Sequence, residues 1–213
     1  FADALVERLA QRGIPLRVLK RVDRPTGMAK MDLVDGDKKH LEFHGNAMEE
    51  IELEPKDLDF IRGFDIVYCE RWTRMARYIR TLRRPEQIWV YDFSRRLDQP
   101  GNDDLLPWLD YAFFSYDQDD DYIRDFLQKT VGKGCRCAIA MLGEAGSLAW
   151  DGRQFYALTA DRLPVVNTVG AGDSYIAAFT YGLSLDEDIP ACMARGKAQA
   201  NRIIQQFNPY PDQ

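Results

Sequence analysis

A glycine-rich turn that ends in a carboxylate is the part of this sequence whose residue types and spacing could do chemistry. Gly170-Ala171-Gly172-Asp173 precedes an apolar run that predicts a helix from Ser174 to Tyr181. Glycine adopts positive φ and lets a ligand approach the backbone. The first amides of a helix attract anions because they have no partner within the helix. The pattern therefore predicts an anion site at residues 170–173, with the Asp173 carboxylate placed to accept a proton.

The residues exclude two other interpretations of this turn and leave a third open. The same spacing is typical of an ordinary strand-to-helix turn in which Asp173 caps the helix, and this alternative stays open. The turn is not a P-loop, since no lysine follows the glycines. It is not a dinucleotide-binding fingerprint either, since Tyr175 occupies the place of the third glycine.

Short apolar strands alternate with helices over most of the chain, and these elements must position the turn. The predicted strands are 64–69, 88–93, 111–115, 137–142 and 165–166, with a hairpin over 147–158; the predicted helices are 1–10, 73–83, 118–131, 174–181 and 190–206. Such alternation predicts an α/β fold, a mostly parallel sheet with helices on both faces. Ligands of these folds bind beyond the carboxyl ends of the strands.

Residues 16–46 have a different pattern. Alternating stretches at 16–19, 28–34 and 41–44 surround an Asp35-Gly36 turn, and Asp-Gly between alternating stretches is typical of a β-hairpin. This segment is therefore expected to form a small antiparallel piece.

The composition limits the class of partner. A net charge of −6 over 213 residues argues against nucleic acid as the main partner, because phosphate backbones bind basic surfaces. No apolar run reaches the roughly 18–20 residues that span a membrane, so no membrane partner is expected. Four cysteines are too few for a disulfide scaffold and predict buried free thiols in a reducing cytoplasm. The arginines of residues 71–84 predict a solvated helix face, with a phosphate or partner surface as the alternative.

The stretch Asn167-Thr168-Val169-Gly170-Ala171-Gly172-Asp173-Ser174 resembles the signature of ribokinase-like (PfkB-type) carbohydrate kinases, Asp-Thr-x-Gly-Ala-Gly-Asp-[Ser/Thr]. The resemblance implies a three-layer αβα fold with a small β-lid, and an enzyme that phosphorylates a hydroxyl of a sugar or sugar derivative with ATP and Mg²⁺. Carried over, Asp173 is the general base, and Gly170, Ala171 and Gly172 form the anion hole. This chain departs at the first position, where Asn167 replaces Asp.

Further stretches resemble the same family in the same order along the chain. Met141–Ser147 is similar to the Thr-Leu-Gly-x-x-Gly turn, and Asp92–Arg96 to the Asp-x-Asn-x-Arg motif. Ser115–Gln118 stands in the place of an Asn-x-x-Glu metal motif. The residues that the resemblance assigns to ATP are Gly143, Gly146, Thr168 and Asn201; those assigned to the substrate are Asp92 and Arg96, and those assigned to the metal are Asp117 and Asp119.

The resemblance also implies a domain organisation. Residues 1–15 and 47–213 would form the kinase domain, and 16–46 the β-lid, through which a homodimer would pair. The family's first strand and its Gly-Gly-x-x-x-Asn segment, which contact the sugar, are expected to be absent from this chain. The sub-family that the chain resembles most is that of the fructoselysine 6-kinases, on the stretches 65–67, 91–94 and 143–152.

Two other functions stay open at the level of sequence. One is a kinase-like binding or regulatory protein without turnover, because Asn167, Ser115 and Gln118 depart from the family motifs. The other is a nucleoside or vitamin kinase on the same fold.

Overall fold

The computed structural model describes residues 2–34, 37–50 and 52–208. The strands are β1 (Met28–Val34), β2 (Asp37–His44), β3 (Ile66–Glu70), β4 (Ile88–Asp92), β5 (Tyr111–Ser115), β6 (Cys137–Met141), β7 (Ser147–Trp150) and β8 (Phe155–Leu158). The α-helices are α1 (Ala2–Gln11), α2 (Pro55–Arg62), α3 (Ala76–Leu82), α4 (Asn102–Leu105), α5 (Asp121–Gly132), α6 (Ala171–Leu183) and α7 (Ile189–Ile204). Short 3₁₀ helices lie at Asn46–Glu50, Arg71–Thr73, Leu106–Trp108 and Gly143–Ala145.

Six strands form one sheet whose order follows the chain, from β3 to β8. The pairs from β3 to β6 are parallel, and β7 and β8 are added antiparallel. Because β3 to β6 run in the same direction, their carboxyl ends meet at one edge of the sheet. In the register of β3 and β4, Glu70 lies opposite Asp92 at that edge.

The alternation of side chains along the strands builds two separate cores, one on each face of the sheet. On β5, Ala112 and Phe114 point into a core that contains Ile79 of α3 and Leu127 of α5. Tyr111 and Phe113 of the same strand point into the other core. That second core includes Phe179 of α6 and Met193 of α7. The sheet therefore has helices on both faces, which confirms the predicted three-layer αβα arrangement.

The strands β1 and β2 form a separate antiparallel two-stranded sheet. The predicted Asp35-Gly36 turn lies outside the described residues. The prediction that 16–19 belong to this antiparallel piece is wrong. Residues 16–19 form no strand, and this region is held by side-chain contacts instead. The Lys20 ammonium lies 2.6 Å from the Asp57 carboxylate and 2.5 Å from the Glu52 carbonyl.

Two further predictions fail for local reasons. Val165–Val166 is not a strand, because the Val166 amide donates to the Ile204 carbonyl at the end of α7. The helix predicted from Thr73 begins only at Ala76, because Arg74 adopts a left-handed φ of 55°. The arginines of this region are not a purely solvated face: Arg83 forms a bidentate contact with Asp110 at 2.8 and 3.2 Å.

All four cysteines are buried and free of disulfides, as the sequence predicts. Within the described ranges, none of the helices combines the length and the apolar character needed to cross a bilayer.

Candidate active site

The glycine turn leads directly into α6. Gly170 is the N-cap residue, with a left-handed φ of 79°. Such a conformation favours glycine because it carries no Cβ. The helix begins at Ala171, three residues before the predicted start, so Asp173 lies in its first turn. The alternative in which Asp173 caps the helix is therefore wrong.

Only some backbone amides of this turn donate hydrogen bonds to other backbone groups. The Ala171 amide donates to the Thr168 carbonyl at 3.2 Å, and the Ser174 amide donates to the Gly170 carbonyl at 2.9 Å. Within the described part of the chain, the amides of Gly170, Gly172 and Asp173 have no such acceptor outside the helix. The open amides thus differ from the predicted set, since the Ala171 amide is occupied and the Asp173 amide is not.

The Asp173 side chain is exposed and faces an acidic group of side chains at the carboxyl edge of the sheet. Burial, together with the nearby charges of Asp92 and Asp173, raises the pKa of Glu70 to about 7. Partial burial also raises the pKa of Tyr68, which is 42% exposed, above its usual range, with the same two aspartates contributing. Three carboxylates from β3, β4 and α6 therefore act on one another.

Glu70 and Tyr68 also belong to this group, and neither was predicted from the sequence as a site residue. Both lie on β3, and Glu70 is its last residue. A signal was present, because the residue that ends a parallel strand faces the ligand side of such a fold. Tyr68 and Glu70 are also two positions apart, which places them on the same face of the strand.

The two residues predicted to bind the substrate are placed differently. Asp92 ends β4 within the acidic group, and its Oδ1 accepts a hydrogen bond from the Ser94 amide at 2.7 Å. Ser94 has a left-handed φ of 54°. Arg96 is exposed on the following loop, and its backbone carbonyl accepts a hydrogen bond from Asn102 at 2.6 Å.

The predicted nucleotide turn contains two glycines with different surroundings. Gly143 has a φ of 59°, and a Cβ at this position would meet open space. Gly146 has a φ of 100°, and a Cβ there would lie 2.0 Å from the Leu158 carbonyl oxygen. The turn therefore packs against the end of β8 on one side and is open on the other.

The other two residues predicted to contact ATP also differ in their contacts. The Thr168 hydroxyl is buried and has no hydrogen-bond partner among the described residues. A buried polar atom of this kind is typical of a site that a ligand completes. The Asn201 side chain donates to the Asp161 carboxylate at 2.7 Å, and Lys197 pairs with the same carboxylate at 2.9 Å.

The two predicted metal ligands are held by arginines. Arg95 forms a bidentate contact with Asp117 at 2.7 and 3.0 Å, and Arg124 forms one with Asp119 at 2.6 and 2.7 Å. In the ranges that the structure describes, no three His, Cys, Asp or Glu side chains are grouped so that they could hold a metal ion. These residues therefore do not fit a Mg²⁺ site built by the protein alone.

Comparison with known proteins identifies the family. Residues 103–212 match the family described as pfkB family carbohydrate kinase. The fructoselysine 6-kinase of Shigella flexneri is 32% identical over 96% of this chain and 78% of its own length. The chain belongs to the pfkB family of carbohydrate kinases. The corresponding enzyme of Escherichia coli K12 is 31% identical over the same shares of both chains.

Solved structures share the fold of this pfkB family kinase. Ribokinase from Thermotoga maritima has a TM-score of 0.81 at 20% identity, over 97% of this chain and 72% of that one. Ribokinase from Arabidopsis thaliana, solved with ribose and ATP, has a TM-score of 0.76 at 22% identity, over 89% and 67%. These likenesses confirm the ribokinase-like fold that the sequence predicts.

Membership of the family also settles the class of activity. The protein is a phosphotransferase that acts on an alcohol group, as the sequence predicts. Kinases of this family use ATP.

Proposed function

We propose that this kinase transfers the γ-phosphoryl group of ATP to a hydroxyl of a sugar or sugar derivative, with Asp173 as the general base. One observation carries the proposal: an exposed carboxylate stands in the first turn of α6, beside open amides at Gly170, Gly172 and Asp173. Asp173 takes the proton of the acceptor hydroxyl, and the hydroxyl oxygen attacks the γ-phosphorus. The bond to the leaving ADP then breaks, and the amides stabilise the negative charge on the transferring group.

The acceptor lies against Glu70 and Asp92, across from Asp173. Carboxylates at this edge bind hydroxyl groups as hydrogen-bond acceptors and disfavour an acceptor that already carries a phosphate. A neutral or cationic sugar derivative fits this charge. Two relatives at 32% and 31% identity are fructoselysine 6-kinases, so fructoselysine is the first acceptor to test.

ATP occupies the opposite side, between the Gly143–Gly146 turn and α7 near Asn201. The open face of Gly143 and the unpartnered Thr168 hydroxyl support this placement. Mg²⁺ usually keeps several waters and is bound through phosphates, so a nucleotide-borne ion needs no protein cluster.

The sheet of β1 and β2 is proposed to cover the acceptor and to pair two subunits. Its support is exposed apolar surface on Met28, Met31, Leu41 and Phe43. Exposed apolar patches are typical of interfaces. Light scattering of the wild type and of Leu41→Asp tests the pairing: a dimer that the substitution dissociates supports it, and a wild-type monomer contradicts it.

The experiment that tests the mechanism is Asp173→Asn in the full chain, measured by coupled ADP release. Removing a general base lowers the rate on the order of 10²–10⁴-fold. The matched control is Asp186→Asn. Asp186 lies beyond the far end of α6 with a φ of 58°, which asparagine tolerates. Turnover of folded Asp173→Asn at the level of the control would contradict the mechanism.

An acceptor panel with fructoselysine, free sugars and nucleosides tests the substrate class. Turnover of sugar derivatives supports the proposal. Turnover of nucleosides alone would instead make the protein a nucleoside kinase, and ATP binding without turnover of any acceptor would favour a regulatory role.

A further inference from the structure

The loop before the glycine turn is tied to the chain that follows α7. The backbone amides of Val166 and Asn167 both donate to the Ile204 carbonyl, at 2.7 and 3.2 Å. The side-chain amide of Asn167 donates to the Phe207 carbonyl at 2.8 Å. Residues 166–167 and 204–207 are therefore bound to each other by three hydrogen bonds.

The other end of the Asn167 side chain holds the loop itself. Its Oδ1 accepts a hydrogen bond from the Val169 amide at 2.9 Å, one residue before Gly170. The residue is only 8% exposed, so water does not readily replace either bond. A single side chain thus joins the start of the glycine turn to the segment that follows α7.

We propose that Asn167 is a positioning residue for phosphoryl transfer, and that the segment 204–207 is a structural part of the anion site. The inference rests on the proposed function, since it requires the amides at 170–173 to bind the transferring phosphoryl group. Asn167 does not touch the substrate. It fixes the backbone from which those amides project.

The chemistry of the side chain explains why an amide stands here. An amide both donates and accepts, whereas an ionised carboxylate only accepts. Aspartate, the residue of the family signature, could still receive the Val169 amide. It would, however, face the Phe207 carbonyl with a second acceptor, at a position that is only 8% exposed.

The far side of the turn has its own support. The Tyr175 hydroxyl, in the second turn of α6, donates to the Ser147 hydroxyl of β7 at 2.9 Å. A change at Asn167 therefore leaves the helix attached to the sheet and loosens only the loop in front of it. We expect the result to be a loss of catalysis larger than the loss of folding.

The test is Asn167→Asp, with Gln87→Glu as the matched control. Gln87 is also buried, 2% exposed, and its amide donates to the carbonyls of Ile61 and Phe64 while accepting from the Arg84 amide. It lies at the amino end of β4, at the opposite edge of the sheet from the site. Both substitutions replace an amide by a carboxylate that faces backbone carbonyls.

Asn167→Asp is expected to lower kcat by about tenfold or more, because the part-buried hydrogen bond to the Phe207 carbonyl is lost and a carboxylate oxygen then faces that carbonyl. The KM for the acceptor should stay within about twofold, because the loop acts on the transferring group and not on acceptor binding. Gln87→Glu should lower the melting temperature comparably but keep kcat within about twofold. Assays use an organic-amine buffer, so that no alkali cation bridges the new carboxylate and the Phe207 carbonyl. Equal kcat for the two variants overturns the assignment.

A chain that ends at Gln206 provides a second measurement that does not depend on Asn167→Asp folding. It lacks the Phe207 carbonyl, so hydrogen exchange at 168–173 should be faster than in the full chain, and kcat should fall. Adding Asn167→Asp to the shortened chain should lower kcat no further, because both changes remove the same bond. Unchanged exchange at 168–173, or fully additive losses, overturns the inference.

Failure of this inference is distinguishable from failure of the proposed function. If Asp173→Asn abolishes turnover while Asn167→Asp behaves like Gln87→Glu, only the role of Asn167 is wrong. If Asp173→Asn leaves turnover intact, the anion site itself is misplaced.

Discussion

The two sides of the candidate site differ in how tightly they pack against the rest of the protein. The phosphate side, which comprises 143–147 and 166–175, is packed between two helices and the sheet. Tyr175 is bonded to Ser147, and its ring lies so close to α7 that a Cβ at Gly196 would approach it to 2.9 Å. The acceptor side comprises β1, β2 and 71–74. It makes few contacts with the large sheet and its helices.

The contacts of the acceptor side are exposed. The Phe43 and Trp72 rings lie 4.9 Å apart, and the Arg74 guanidinium donates to the Glu49 carbonyl at 2.5 Å. Few buried contacts mean that such a region opens at low free energy. The difference teaches that this kinase packs the half proposed to bind phosphate tightly and leaves the half proposed to admit the acceptor lightly attached.

The largest expected effect is on the rigid side, at Gly146. Gly146→Ala should lower the free energy of unfolding by about 3 kcal/mol or more, because a Cβ would lie 2.0 Å from a backbone oxygen at a φ that only glycine readily adopts. Gly143→Ala, in open space at a φ of 59°, should lower it by about 1–2 kcal/mol. Chemical denaturation measures both. Equal losses would mean that the turn is not packed against β8.

The next effect separates Glu70 from the other carboxylates by its pH dependence. Because its folded pKa is raised to about 7, the folded protein binds more protons than the unfolded chain between the ordinary glutamate pKa and about 7. The contribution of Glu70 to the free energy of unfolding is therefore present at low pH and is lost as the pH rises through this window. The slope should be no steeper than about 1.4 kcal/mol per pH unit.

Glu70→Gln should flatten that slope, as measured by denaturation at a series of pH values. Glu144→Gln, in the nucleotide turn, serves as the control and should keep the wild-type slope. A wild-type stability that does not fall between about pH 5 and 7 would contradict the half-buried position of Glu70 beside Asp92.

A smaller effect probes the attachment of the acceptor side. Phe43→Ala should raise the KM for the acceptor about 2–10-fold, because aromatic pairs contribute about 0.5–1.5 kcal/mol. The melting temperature should hardly change, since Phe43 is 48% exposed. Glu42→Ala is the control on the same strand, with a side chain 51% exposed and outside both the ring pair and the exposed apolar surface. Equal KM values for the two variants would show that the Phe43–Trp72 contact does not hold the sheet in place.

The smallest effect concerns backbone strain beside Asp92. Ser94 has a φ of 54°, a conformation that costs most residues free energy and glycine little. Ser94→Gly should raise the free energy of unfolding by about 0.5 kcal/mol, whereas Ser94→Ala should not. Denaturant midpoints of the two variants give the comparison, and a destabilised glycine variant would indicate that the serine hydroxyl matters more than the strain.

The sequence predicted the parts of the fold that rest on local pattern. The predicted strands 111–115 and 137–142 are found as Tyr111–Ser115 and Cys137–Met141, within one residue of the expected bounds. A local signal also begins α7: Asp188 is its N-cap residue, and its side chain accepts from the Ala191 amide at 2.9 Å. The failures at 16–19, 73–75 and 165–166 have two kinds of cause. At each, a contact with residues distant in sequence, or a left-handed residue, overrides the local pattern.

The parts of the candidate site that lie in a sequence motif were predicted. The parts that the fold brings together from distant positions were not. The glycine turn and Asp173 were read from consecutive residues. Glu70 joins them only because β3 lies beside β4, and pairing of strands 22 residues apart in the register has no local signal. The arginines that hold Asp117 and Asp119 could not be foreseen either, because a bidentate ion pair depends on side-chain placement.

The bonds from 166–167 to 204–207 set the order in which the site can be completed during synthesis. Domains fold as they emerge, amino-terminal parts first. Glu70 and Asp92 can take their places while the ribosome is still translating the rest, but the loop at 166–169 waits for the last described residues. A nascent chain that stalls before Phe207 would thus have Glu70 and Asp92 in place while the loop before Gly170 still lacks the hydrogen bond from Asn167 to Phe207.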